Sequence, residues 1–430
     1  MQNTRKLLIF IALILILIGL LPLVIPDSLY RDQLVSALEK RLHGPVQIGS
    51  SGIEYAPRPA LVIRDVVFKQ DSHTAKIDKL SVPISLHNLL NWGREIRGIV
   101  VENGQFSPRF AMQLPEKLRP EAGQPRLAQI DLKQSSVLLG SGVLGPIDAT
   151  LRFASDGQLA ELQAGDEGSH LDFHVQPKGS QFAVTLTANG YTLPFGHPVH
   201  FDRLLLKGLA GPDGIDIEDI RGDLYGGIVT GRAQLGWQDN AWTLAGTLRT
   251  NGIQAEPFSQ VFSEVTHVSG RLAGESTFVY KADDYHKLFD RPGIDAQFRV
   301  SDGMLHNFDL ITPLKAVQPA TYARGGQTRF ETFTGRLAVR GDTVQILDAN
   351  LVGGKFNAHG QLTIQPDLKL NGAIMARLSG GTIQVANRIS AGGVLKAPSL
   401  STATANRPQP QAVNLTETPA PAPAPEGATQ

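Results

Sequence analysis

The side chains of this 430-residue chain that could do chemistry are thinly spread, and the densest set lies between Ser169 and Gln176. There His170, Asp172 and His174 alternate with Leu171, Phe173 and Val175, and His197 and His200 follow a short way on. On a strand, alternate residues share a face at steps of about 7 Å, a spacing that suits a metal ion. A lone His-x-Asp-x-His brings no second ligand set, however, and a solvated polar face accounts for it better. Asp216, Glu218 and Asp219 lack the spacing of a calcium loop and read as strand decoration. Arg221, Gly222 and Asp223 read as turn chemistry. No phosphate-binding loop, dinucleotide glycine fingerprint or Gly-x-Ser-x-Gly elbow occurs. The chain has no cysteine, which removes disulfides, thiol catalysis, cysteine zinc sites and an acylated cysteine. No enzymatic activity, cofactor or metal is expected.

The elements that would position these residues begin with an apolar run. Leu7 to Ile25, which includes Ile14 and Ile18, carries no charge, and Arg5 and Lys6 precede it. As a helix it measures roughly 28 Å, one hydrocarbon thickness. The basic pair is expected to stay cytoplasmic and the rest of the chain to be exported. A cleavable signal peptide fits less well, because the run is long and Pro26, Asp27 and Ser28 offer no small-x-small cleavage site. Residues 1–26 are therefore assigned as a membrane anchor. Residues 27–45 are assigned as an amphipathic helix, with Asp27 or Ser28 as cap, Leu34, Val35, Leu38 and Leu42 on one face, and Gly44 and Pro45 as the stop. It either lies on the membrane or covers the end of a sheet. Forty basic and forty acidic residues and a pI near 7.2 give no electrostatic footprint for nucleic acid.

From Val46 to about Lys396 the texture is period-two alternation broken by turn residues, the pattern of a mainly β protein built from antiparallel meanders. Lys355–Ile364 sets Phe356, Ala358, Leu362 and Ile364 on one face, and Leu368, Leu370, Ile374 and Ala376 continue it. Helices are few and short, near Pro83–Trp92, Pro257–Val265 and Asp309–Val317. An internal repeat aligns Leu224–Trp237 on Leu351–Ile364 without gaps, each around a Gly-Gly pair suited to a tight turn. The apolar face mixes small residues (Gly231, Ala233, Gly246, Ala358, Gly360, Gly372) with larger ones. That is consistent with room for acyl chains, and equally with an ordinary packed sandwich or barrel. The candidate lining residues are Leu235, Trp237, Trp242, Leu244, Leu248, Phe356, Ala358, Leu362, Ile364, Leu368, Leu370 and Ile374.

Several segments resemble the AsmA family. At the front these are Gly44–Phe68 (GPVQIGSSGIEYAPRPALVIRDVVF) and Ala75–Phe106, with the Leu89, Leu90, Gly93 turn. Toward the back they are His267–Phe278, Ala296–Leu310 and Phe330–Ile364. The likeness divides the chain into an AsmA-like N-terminal β region (46–107), a middle β region (108–255), an AsmA-like C-terminal β region (256–396) and a disordered Pro- and Ala-rich tail (397–430). It implies a single-pass protein of the bacterial inner membrane, its bulk in the periplasm as an elongated, curved, groove-like antiparallel sheet. The implied role is binding or conducting phospholipid acyl chains toward the outer membrane, with phospholipid and the inner membrane as partners. The alternative is a scaffold for assembly of outer-membrane or other envelope proteins.

Overall fold

The computed structural model describes residues 28–402 except 71–72, 140, 239–240, 317, 324 and 381–382, together with 409–410. The anchor residues Arg5, Lys6, Leu7, Ile14, Ile18 and Ile25 lie outside the described residues, as does almost all of the tail. Among the described residues no helix is long and apolar enough to cross a membrane.

The chain is mainly β, with one long mixed sheet and a few short helices. From Gln129–Leu139 to Ala397–Thr402 the long strands follow one another as an antiparallel meander. The short strand Thr321–Ala323 leaves this order and pairs with Ala397–Thr402 at the far edge. The expectation of a purely antiparallel sheet fails at one place. Ile99–Phe106 runs parallel to Gln129–Leu139, echoed by Glu95–Ile96 beside Arg126–Leu127. A parallel pair needs a crossover of a dozen or more residues, and here it contains the helix Pro108–Lys117, in a region the sequence reads as β. Pro108 suits the first turn, and the fully buried Ser107 caps it while also accepting from the Thr74 amide at 2.9 Å. Pro115 inside the helix disguises it as a breaker in sequence.

The two largest buried clusters lie at the front and back of the sheet, with three smaller ones on the strands between. At the front, Phe68, Phe106 and Phe110 pack with Ile63, Val66 and Leu151. The helix Ser28–Leu42 lays Leu34, Val35, Leu38 and Leu42 on this cluster, so its apolar stripe covers sheet. At the back, Phe330, Leu351, Phe356, Leu370 and Ile389 pack under the helix Ile311–Leu314. The other two expected helices are present and shorter, Leu86–Leu90 and Ala255–Gln260. Residues 397–402 are a strand rather than tail: Leu400 is buried and pairs with Ala391.

The two hairpins of the aligned segments share their geometry, but in a slipped frame. The hairpins Gly214–Leu224/Gly227–Gln238 and Thr343–Gly353/Phe356–Ile364 share a bulge, between Ile217 and Ile220 in one and Ile346 and Ala349 in the other. Superposing bulges and turns moves the second hairpin two residues from the ungapped alignment, and an even slip leaves every side chain on its face. In this frame Gly231 matches Gly360. A Cβ at either would run into a facing carbonyl, that of Thr247 or of Ala373. Close backbone approach, not spare room, explains these glycines.

Candidate functional site

Strand register carries the apolar face across the sheet in unbroken rows. One row runs Ala233, Gly246, Phe278, Ile294, Val339, Val344, Ile364, Leu370. The next runs Gly231, Leu248, Ser276, Ala296, Leu337, Ile346, Leu362, Gly372, Ala391, Leu400. Directly opposed residues on one face touch their neighbours, so the first row is a continuous apolar strip and the second is broken only by the Ser276 hydroxyl. Burial along the rows is uneven. Ala233, Leu370, Ala391 and Leu400 are buried, whereas Phe278, Ile294, Leu337, Val339, Val344, Ile346, Leu362 and Ile364 are only half-buried. Beside them burial pushes the Tyr280 phenol above its ordinary value, a mark of an apolar setting.

The proposed lining residues divide into three sets. Leu235, Leu244, Leu248, Leu362, Ile364 and Ile374 are half-buried on the apolar face. Phe356, Ala358 and Leu370 are buried in the back cluster. Trp237 and Trp242, 2% and 1% exposed, are closed off by Tyr285 and Leu288, with Met112, Leu138 and Leu139 against them. The Trp242 and Tyr285 rings lie 5.8 Å apart, and the Trp237 indole donates to the Pro212 carbonyl at 2.8 Å. These five are packing residues rather than an open surface. Leu368 is a misreading: it is 45% exposed with φ +60° in the turn between Gln365 and Lys369. A turn ends the strand period, so alternation does not extend from Ile364 to Leu368.

The histidine-rich segment does not converge. His170 pairs with Asp166 and His174 with Glu161, each at 2.9 Å, while His200 bonds Thr192 and His197 lies against Phe262. Glu218 and Asp219 fall in the bulge, and Arg221–Asp223 lies in a strand, not a turn. Among the described residues one set could hold an ion, Glu256, His267 and His306, with ligand atoms within 4.8 Å of one another. Both imidazoles already have partners, His267 at the Glu264 carbonyl and His306 at the Ser269 hydroxyl, each at 3.0 Å. Burial, with His267 alongside, holds His306 below the ordinary imidazole value.

One cluster went unread in sequence. Leu86, Leu89, Leu90 and Trp92 are all strongly exposed around the short helix Leu86–Leu90. The signal was available, since leucines at i, i+3 and i+4 stand opposite His87, Asn88 and Asn91. The Leu-Leu-x-x-Gly turn by itself does not say which side of the helix faces water.

The chain matches no family model, and no curated protein or solved structure is significantly similar to it.

Proposed function

We propose that this chain is a bacterial envelope protein, anchored in the inner membrane by Leu7–Ile25, whose periplasmic sheet forms an elongated, curved groove that binds phospholipid acyl chains and passes them toward the outer membrane. The observation that carries the reading is the strip of half-buried apolar residues from Phe278 to Ile364, which continues outward from the packed back cluster along the same strands. A packed core would close over such residues, and contiguous apolar surface left open on a protein marks a binding site. Acyl chains match it in chemistry, gaining about 0.8 kcal/mol per buried methylene. Curvature is supported by a hydrogen bond from Thr266 to the Leu395 carbonyl at 2.5 Å. The strands these residues adjoin are six ladder steps apart, about 29 Å on a flat sheet. The resemblance to AsmA proteins points the same way. A photo-crosslinking residue at Leu337 should capture phospholipid in cells, while one at Arg336, exposed on the opposite face, should not. Absence of lipid adducts at Leu337 would leave the scaffold for outer-membrane protein assembly as the better account, which the dry packing at both ends also accommodates.

A further inference from the structure

The helix Leu86–Leu90 is inside out. Its polar side turns toward the protein, where Asn88, 7% exposed, donates to the carbonyls of Pro83 at 2.7 Å and Arg97 at 3.1 Å and accepts from the Arg97 amide at 3.0 Å. His87 reaches the buried Glu95 carboxylate at 3.0 Å, and Arg97 and Arg126 hold the same carboxylate. Its apolar side turns outward: Leu86 is 72% exposed, Leu89 55%, Leu90 76% and the adjoining Trp92 82%. Tyr55 is 44% exposed on the 55–59 loop, which the Ile84 amide ties to this segment through the Pro59 carbonyl at 2.8 Å. A helix on a water-soluble surface carries the opposite arrangement. The polar network enforces the exposure, because rolling the leucines inward would strand Asn88 and Glu95 without partners.

We propose that this patch docks on the lipid bilayer, with Leu86, Leu89, Leu90 and Trp92 entering the boundary between headgroups and acyl chains. The proposal rests on the anchor in the reading above, but not on the groove. Three observations favour a bilayer as occupant. The charge-free run ends at Ile25, and the helix that starts at Ser28 packs on the same core as strands Ala60–Gln70 and His73–Pro83, the second of which leads into the patch. At about 1.5 Å per residue, its fifteen residues keep the unit within roughly 22 Å of the membrane. Leucines with one fully presented tryptophan are the composition of an interfacial segment. The charges bordering the patch include Arg58, Arg94 and Arg97, while the acids there are paired, Glu95 with Arg97 and Arg126 and Glu54 beside Tyr55 with Arg64 and Lys79, which suits anionic headgroups.

The test uses the full chain reconstituted in phosphatidylethanolamine/phosphatidylglycerol vesicles whose acyl chains are brominated. Flotation with the vesicles reports the anchor separately. Trp237 and Trp242 are sealed in the protein, so the tryptophan emission quenched by bromine should be the part that Trp92→Phe removes. A Leu86→Ser/Leu90→Ser variant, altered only at exposed positions, should keep its thermal unfolding and lose the quenching although Trp92 remains. Trp92 emission quenched by aqueous iodide and not by bromine overturns the proposal. So does Trp92 shielded from both, which means that protein, such as a second copy of the chain, covers the patch. Lipid adducts at Leu337 with Trp92 unquenched sink the docking alone. Quenched Trp92 without adducts sinks the groove alone.

Discussion

Glu95 shows how a single residue can hold a surface in an unfavourable state. Burial alone would raise its pKa, but hydrogen bonds from Arg97 and His87 and the charges of Arg126 and Arg97 outweigh it, and the carboxyl titrates below its ordinary value. A carboxyl depressed in the folded state contributes stability that is present above the ordinary glutamate value and lost as pH falls through the lowered one. Glu95→Gln should therefore cost about 1–3 kcal/mol near neutral pH, because Arg97 and Arg126 lose a charged partner in partly buried surroundings. Thermal unfolding of the two proteins should converge only once pH has fallen through this lowered value, where wild type is protonated as well. The opposite expectation holds for His170 and His174, each half-exposed in its own ion pair. His170→Gln/His174→Gln should change stability by no more than about 1 kcal/mol and leave cellular function intact; loss of function together with loss of a bound metal would contradict this. At this scale the sequence supplied residue types and alternation. It could not say that Asp166 and Glu161, rather than Asp172, would meet the histidines, because a turn places Asp166 beside His170 and strand pairing brings Glu161 to His174.

Strands were legible wherever alternation ran unbroken, since a period of two needs no tertiary information. Elements were missed where another rule intervened. Pro115 hid a helix, the parallel pair beside it depends on a crossover that no local pattern announces, and Leu368 continued an apparent strand through a turn. Ala397–Thr402 was lost to composition, as its Pro and Ser read as the start of the tail while its place was being set by pairing with Ile383–Val394. That strand gives an element-scale prediction. Leu400 is 4% exposed in the back cluster, so Leu400→Ala should cost about 2–5 kcal/mol in thermal or urea unfolding. A negligible change would mean that the edge strand contributes nothing to the packed end.

For the whole molecule, the question is whether the apolar face is dry throughout or only where the buried clusters sit. The sheet's strands, at about 4.8 Å each, extend on the order of 100 Å along the ladder, far more than the terminal helices can cover. Leu351 and Leu362 allow a paired comparison, since they lie on neighbouring strands of one face and differ in burial: Leu351 is 3% exposed inside the back cluster, and Leu362 is half-buried at its margin. Leu351→Asp buries an unpaired carboxylate and should unfold the region, at a cost of several kcal/mol. Leu362→Asp should leave thermal unfolding nearly unchanged if water and acyl chains reach that position, yet abolish lipid capture by a photo-crosslinking residue at Ile374, which shares the face two residues from Gly372. A probe at Lys369, exposed in the turn, should capture no lipid in either protein. If instead Leu362→Asp collapses the fold as Leu351→Asp does, and no apolar position yields lipid adducts, the half-buried strip is as dry as the cluster it borders. A face that admits no lipid cannot conduct it, and the long sheet would then serve as a surface for assembling other envelope proteins.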